Sequence, residues 1–230
     1  MLTPTRRRGV ELLDDPGVDP ALATRSLRDV ARSNRLFGGQ RAVVTSLAPM
    51  LQQAAPGATF VLLDVGTGLG DIPRAVRVHA ERRGARVVTV GLELTAALAH
   101  AARASAHDVL CGDARMLPFA TGSIDVVTCS QVLHHFDGPD ADALLKELTR
   151  VAKRLVVVSD LRRSWLAVGL LWLVSFPLGF HPVSRHDGIV SILRGYTAPE
   201  LRNIVRSAVE RAPAVRNRLG WRVTASWSPR

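Results

Sequence analysis

The stretch Leu62-Leu63-Asp64-Val65-Gly66-Thr67-Gly68-Leu69-Gly70-Asp71-Ile72-Pro73 decides the fold. An apolar strand ends in a carboxylate, three glycines follow at alternate positions, and a helix begins. Glycine turns the backbone sharply and admits a ligand close to it, because no Cβ intervenes. The free N–H groups at the start of the next helix point at such a ligand. The spacing excludes one class of site. A dinucleotide fingerprint, G-x-G-x-x-G, needs glycine at position 71, where this chain has Asp71. The pattern here is D-x-G-x-G-x-G.

Downstream segments repeat the theme of a strand ending in polar residues. Arg86 to Glu93 reads as a second strand ending in an acid. Glu93 lies about 20 residues beyond Gly70, the spacing of a ribose-binding carboxylate. An ionised Glu offers two oxygens to two vicinal hydroxyls. The competing reading is a solvated acid at a strand end. Two more segments follow: Val109-Leu110-Cys111-Gly112-Asp113-Ala114-Arg115-Met116-Leu117-Pro118-Phe119, then Ile124-Asp125-Val126-Val127-Thr128-Cys129-Ser130-Gln131-Val132-Leu133-His134-His135-Phe136.

In order, the four elements resemble the motifs of class I S-adenosylmethionine (SAM)-dependent methyltransferases, in the group that includes small-molecule and quinone-biosynthesis enzymes. The resemblance covers roughly residues 55–160 and is poor in the flanks. It implies a three-layer α/β/α, Rossmann-like sheet, mostly parallel, with an antiparallel C-terminal hairpin. It also implies SAM as cofactor, held by Asp64, Gly66, Thr67, Gly68, Gly70, Glu93, Leu94, Asp113, Ala114 and Gln131. In such a site the third-strand acid, Asp113, accepts from the adenine amino group, and the N–H of Ala114 reaches the ring. The family's enzymes that methylate exocyclic base nitrogens carry an (N/D)-P-P-(Y/F) turn after the fourth strand. This chain has Ser130-Gln131-Val132-Leu133 there.

Length and composition agree with one globular domain. The chain has 230 residues, 47% of them hydrophobic, enough for a real core. The net charge is +10, which raises nucleic acid, anionic lipid and acidic substrates as partners. The basic residues are scattered, in short groups at Arg6–Arg8, Arg82–Arg83, Arg162–Arg163 and Arg216/Arg218, with no long basic run interleaved with aromatics. Nucleic acid is therefore disfavoured as a partner. Only Lys146 and Lys153 are lysine, an arginine bias that fits GC-rich coding. Cys111 and Cys129 fall on expected central strands and read as buried, reduced thiols. Arg6–Arg8 precede no apolar signal core, so a cytoplasmic protein is expected.

Periodicity divides the chain at about residue 55. Residues 1–55 read as an N-terminal helical extension: a loose segment 1–19, then helices at about 20–37 and 40–54. The resemblance implies that such helices cover the active site. The resemblance implies that residues 56–230 form the SAM-dependent methyltransferase domain. Strands are expected at 59–65, 86–92, 108–112, 124–130 and 154–160, and helices at 70–83, 95–105 and 139–152. Repeated strand–helix units argue for a parallel sheet with helices on both faces. Thr197-Ala198-Pro199-Glu200 opens a helix to about 211. Val215–Leu219, Gly220 and Trp221–Trp227 form a hairpin.

Residues 164–196 read as a lid or pocket segment. Its first part, WLAVGLLWLVSFPLGF over 165–180, has 16 residues and contains Pro177. That falls short of the ~20 that span a bilayer. A core or lid helix is expected, walling a lipophilic pocket or touching a membrane peripherally. Trp165 and Trp172 are seven apart and so share a helical face, which suits an aromatic or acyl-chain substrate.

Methyl transfer from a sulfonium is an in-line displacement, so the protein must align the acceptor and exclude water. A base is needed only where the acceptor arrives protonated. His134 and His135 follow the fourth strand. His135 is a candidate base and His134 a candidate substrate ligand; the alternative is that one packs beneath the loop. His186 with Asp187 is the favoured base, since an adjacent carboxylate orients an imidazole and raises its basicity. Arg185, Arg194 and Tyr196 are candidates to hold an acceptor oxygen. The competing reading of 181–188 is a solvated loop whose Asp187 caps a turn before Gly188. No metal site is expected. The reading that results is methyl transfer from SAM to oxygen, or carbon, of a small hydrophobic natural product or quinone-like molecule, by a monomer or homodimer. The alternatives are an RNA methyltransferase and a non-methylating SAM-binding protein of the same fold.

Overall fold

The computed structural model describes residues 3–15, 17–103 and 108–229. Two helices lead in, α1 (Pro20–Leu36) and α2 (Gly39–Gln52). Then follow β1 (Thr59–Val65), α3 (Asp71–Glu81), β2 (Arg86–Glu93), α4 (Ala96–Ala102), β3 (Asp108–Cys111), β4 (Ile124–Ser130), α5 (Gly138–Val151) and β5 (Ala152–Leu161). The chain ends in α6 (Trp165–Ser175), α7 (Pro182–Arg194), α8 (Ala198–Val209), β6 (Ala214–Arg218) and β7 (Arg222–Trp227).

The seven strands form one sheet in the order β3-β2-β1-β4-β5-β7-β6. β1 to β5 run parallel, and β7 pairs antiparallel with both β5 and β6. The expected hairpin is therefore present. The order reverses between β1 and β4, and a crevice for ligands opens at the carboxyl ends of strands at such a point. The loop after β1 and the residue after β4 face each other there.

Alternate residues of each strand feed two cores. Val127 and Cys129 of β4 pack with Leu144, Leu145 and Leu148 of α5 and Leu201 and Val205 of α8. Val126 packs on the opposite face with Ile72 and Val76 of α3 and Val43, Leu47 and Leu51 of α2. Residues 39–52 are thus part of the helical layer on the sheet. Cys129 is buried, but Cys111 is exposed, because β3 is an edge strand. This corrects the expectation of two central-strand thiols. The end of the helix expected over 95–105 lies outside the described residues.

Two segments differ from the sequence reading. Residues 3–15 are a strap laid across α7, held by Arg7 N–H to Leu193 O (3.1 Å) and by Leu12 and Leu13 N–H to the Asp187 carboxylate (2.8 and 3.0 Å). Residues 182–194 are helical, which overturns the competing reading of 181–188 as a solvated loop. The inward positions of α7 include Ser184, Asp187 and Ser191, all buried. A polar inner face hides the apolar periodicity that marks most helices. It is stable because each group has a partner: Ser184 Oγ donates to Asp29 (2.8 Å), Ser191 Oγ donates to Glu11 (2.8 Å), and Asp187 caps the strap.

Candidate functional site

The loop after β1 is shaped by three glycines in the left-handed region, Gly66, Gly68 and Gly70, with φ of 68°, 56° and 70°. A Cβ on Gly66 would lie 2.2 Å from Val132 Cγ2, so the loop and the β4 end approach too closely for a side chain. Gly66 and Thr67 donate their N–H groups to Leu92 O (2.9 and 3.2 Å), tying the loop to β2.

Asp64 lies beneath this loop, fully buried. It accepts from Thr128 Oγ1 at 2.6 Å, and burial pushes its carboxyl up to about 7. Its place is that of a brace between β1 and β4. Glu93 is buried at the end of β2 and accepts from the N–H of Gly68; burial raises its pKa. Beside it, Leu94 and Met116 are largely exposed apolar side chains, flanking the Asp113 loop. Asp113 is paired with Arg115 at 2.7 Å, which holds its carboxyl below the usual range, and Arg115 also reaches Asp140 at 2.9 Å. Ala114 is half-buried next to it.

Gln131 closes the crevice from the β4 side. It adopts φ 59° without being glycine, a strained backbone that persists only where its surroundings enforce it. Its Nε2 donates to Asn34 Oδ1 at 2.8 Å, and Arg222 Nη2 donates to the same oxygen at 3.0 Å. Gln40 of α2 donates to Asp71 at 3.0 Å. Helices α1 and α2 therefore clamp both rims of the crevice.

The strap brings a third set of groups to the β4 end. His134 is fully buried, with Nδ1 2.7 Å from Asp160 and Nε2 3.3 Å from Glu11. Burial disfavours its cation, but Asp160 and then Glu11 outweigh burial and raise its pKa to about 9. Burial would likewise raise the Glu11 carboxyl. The hydrogen bond to His134 and the charges of His134 and His135 overcome that, and its pKa falls. His135 stands 3.1 Å from Asp14, and Arg194 bridges Asp14 (3.0 Å) and Glu11 (3.4 Å). Glu11, His134 and His135 bring three possible metal-ligand atoms within 4.8 Å of one another. The imidazolium of His134 and the guanidinium of Arg194 already offset two of the three acids there.

A cavity of about 140 Å³ lies between this cluster and the lid. Its walls include Val30 and Phe37 from the α1 end and Leu170, Leu171 and Val174 from α6, with Gln131 and Glu11 among its polar groups. A cavity of roughly 150 Å³ with apolar walls admits one benzene ring.

The structure moves several expected residues out of acceptor roles. Asp187 lines the cavity but gives both carboxylate oxygens to the strap N–H groups, and His186 is half-exposed, is not part of the cavity wall, and stands with Nδ1 2.8 Å from Asp187. The expected base pair is thus a fastening. His134 is sealed between acids and reaches no ligand space. Trp165 lies on the outer side of α6 with Arg7 stacked 5.3 Å above its ring. Arg185 donates to Phe180 O at 3.2 Å and stacks on Phe176. Tyr196 is a core residue whose hydroxyl donates to Phe136 O at 3.0 Å, and burial pushes its pKa to about 12. His135, at the rim, keeps partial exposure. The residue the sequence reading missed is Glu11. Its only signal is a single acid between Val10 and Leu12-Leu13, in a segment that looks loose.

The strand order, the left-handed glycine loop and the acids at successive strand ends define the class I SAM-dependent methyltransferase fold. Solved structures agree. Magnesium protoporphyrin IX methyltransferase from Synechocystis, solved with bound SAH, aligns with TM-score 0.54 at 16% identity, over 83% of each chain. A SAM-dependent methyltransferase from Aquifex aeolicus aligns with TM-score 0.58 at 15% identity, over 93% of this chain and 100% of that one. Human N-acetylserotonin methyltransferase in complex with SAM aligns with TM-score 0.64 at 15% identity, over 90% and 56%. No curated protein matches the sequence. Residues 63–157 match the methyltransferase domain family. Residues 63–157 thus carry a methyltransferase domain, set in the class I SAM-dependent methyltransferase fold.

Proposed function

We propose that this enzyme methylates an oxygen of a small, hydrophobic, ring-bearing acceptor. The observation that carries the reading is the cavity: apolar walls, a size suited to one ring, and Glu11 and Gln131 as polar lining at the carboxyl end of β4.

The residues present fit SAM. The left-handed turn at Gly66, Gly68 and Gly70 offers bare backbone, and Glu93 offers a carboxylate to the ribose hydroxyls once it releases the Gly68 N–H. Exposed Leu94 and Met116 offer apolar faces for adenine, with Asp113 and the Ala114 N–H at its edge. Thr67 and Asp64 hold the loop from below, and Gln131 bounds the methyl side. When bound, SAM supplies a methyl group on a positively charged sulfur.

The chain's own work is to seat the acceptor and remove its proton. Glu11 accepts a hydrogen bond from the acceptor hydroxyl. As the new oxygen–carbon bond forms and the sulfur–carbon bond breaks, the hydroxyl proton becomes strongly acidic. A carboxylate of low pKa is then a sufficient base. Asp160 positions His134, and His134, Ser191 and Arg194 all hold the same Glu11 oxygen, Oε1, which leaves Oε2 for the acceptor. Carbon methylation would make less use of Glu11, since no hydroxyl proton leaves.

The test is SAH formation against a panel of alkylphenols, with the same phenols masked as methyl ethers as controls. Glu11→Gln is expected to lower kcat roughly 10²–10⁴-fold, with SAM affinity unchanged. Turnover of free phenols by Glu11→Gln at the wild-type rate would remove Glu11 from this role.

A further inference from the structure

We infer that the outer face of α6 docks on an anionic lipid bilayer. Helix α6 carries no charged residue along Trp165–Ser175, yet among its residues only Ala167 and Ser175 are buried. Its outward side chains are large and apolar: Leu166 is 53% exposed, Trp172 55% and Leu173 62%, with Trp165 and Phe176 also open. A helix apolar all round belongs inside a protein or a membrane, and an exposed patch of this kind marks an interaction surface.

Charge says which surface. Arginines ring the patch. Arg7 stacks on Trp165 (5.3 Å) at one end, and Arg185 stacks on Phe176 (4.4 Å) at the other. Arg25 and Arg32 reach across to Gly179 O (2.9 Å) and Leu178 O (2.6 Å). The acids of the cavity beneath, Glu11, Asp29 and Asp187, are buried and bonded inward. Apolar anchors, two indoles and an arginine rim are the composition of a helix lying in a bilayer interface with anionic headgroups. A second copy of this chain would bring one arginine rim against another. With 11 residues α6 lies on such a surface, and no helix among the described residues is long and apolar enough to cross it.

The opposite side of α6, through Leu170, Leu171 and Val174, walls the cavity. Docking thus places the bilayer one helix away from the proposed acceptor pocket, a short route for a lipophilic molecule. The docking itself does not depend on the acceptor reading.

The experiment is flotation of the full chain with phosphatidylcholine vesicles, with and without phosphatidylglycerol, followed by tryptophan fluorescence with brominated lipid. Binding is expected to require phosphatidylglycerol, to weaken with salt, and to quench fluorescence. Leu173→Glu and Trp172→Glu, both exposed and so compatible with the fold, are expected to weaken binding at least about tenfold each, as loss of one buried apolar side chain does. Three outcomes would overturn the inference: no flotation with phosphatidylglycerol, flotation untouched by either variant, or a dimer in solution that Trp172→Glu disperses.

Discussion

The two sides of the crevice are built from different kinds of chain. The side that faces SAM is local. Gly66 to Asp71 supply the turn, and each acid that follows sits at the end of its own strand, so backbone geometry alone aims the groups. The side proposed to take the acceptor is assembled from afar. Glu11 meets His134, Ser191 and Arg194, and Asp187 meets Leu12 and Leu13. The first side reuses a backbone solution common to the fold. The second depends on side chains that must find each other after the sheet has formed. The difference teaches where specificity can vary in this fold: the strap, α6 and α7 can change without disturbing the turn that takes the cofactor.

The comparison can be broken at the joint between the two sides. Asp160 is fully buried and holds His134 at 2.7 Å. Asp160→Asn would strand a buried imidazolium, and removing one partner of such a pair costs about 3–5 kcal/mol. Chemical denaturation should show that loss as a lower midpoint with an unchanged slope.

Raising the pH loosens the same joint. The folded-state pKa of His134 is lifted from 6.5 to about 9. Its contribution to stability is therefore fully present below 6.5 and lost as pH climbs through about 9. Asp64, raised from 3.8 to about 7, declines in the same direction but over that lower window. Thermal melts from pH 7 to 10 should fall more steeply for the wild type than for His134→Gln. Parallel curves would show that the imidazolium does not fasten the strap.

The smallest effect sharpens the division from the other direction. Tyr196 gives one hydrogen bond to Phe136 O and no contact to the cavity. Tyr196→Phe should cost about 0.5–1.5 kcal/mol of stability and leave the KM for a phenolic acceptor as it was. A raised KM at unchanged stability would return Tyr196 to the acceptor side.

These contrasts explain what could be read from the sequence. The positions of five strands along the chain, the antiparallel hairpin and the Gly66–Gly70 turn were legible, because strand ends and glycine spacing are local signals. Gln131 was placed correctly at the β4 end, although its strained φ is visible only in three dimensions. The proposed acceptor side was less legible because its residues are informative only in pairs. His186-Asp187 looks like a catalytic dyad when the strap that Asp187 holds is out of view. A solvated loop stood as the competing reading of 181–188 because Ser184 and Asp187 point inward and hide the helical period. Glu11, 149 residues before Asp160 of the same cluster, had no local mark beyond standing as a single acid among apolar residues.

The most direct test of the division is a calorimetric titration of SAM and SAH into the wild type, Gly68→Val and Glu11→Gln. A Cβ at Gly68 meets nothing nearer than Leu27 Cδ2 at 3.7 Å, but φ 56° strains a valine, so the substitution distorts the turn that faces the ligand rather than the core. Binding should be lost in Gly68→Val, with the fold confirmed by circular dichroism, and retained in Glu11→Gln. Wild-type affinity in Gly68→Val, or lost affinity in Glu11→Gln alone, would contradict the assignment of cofactor and acceptor to separate sides.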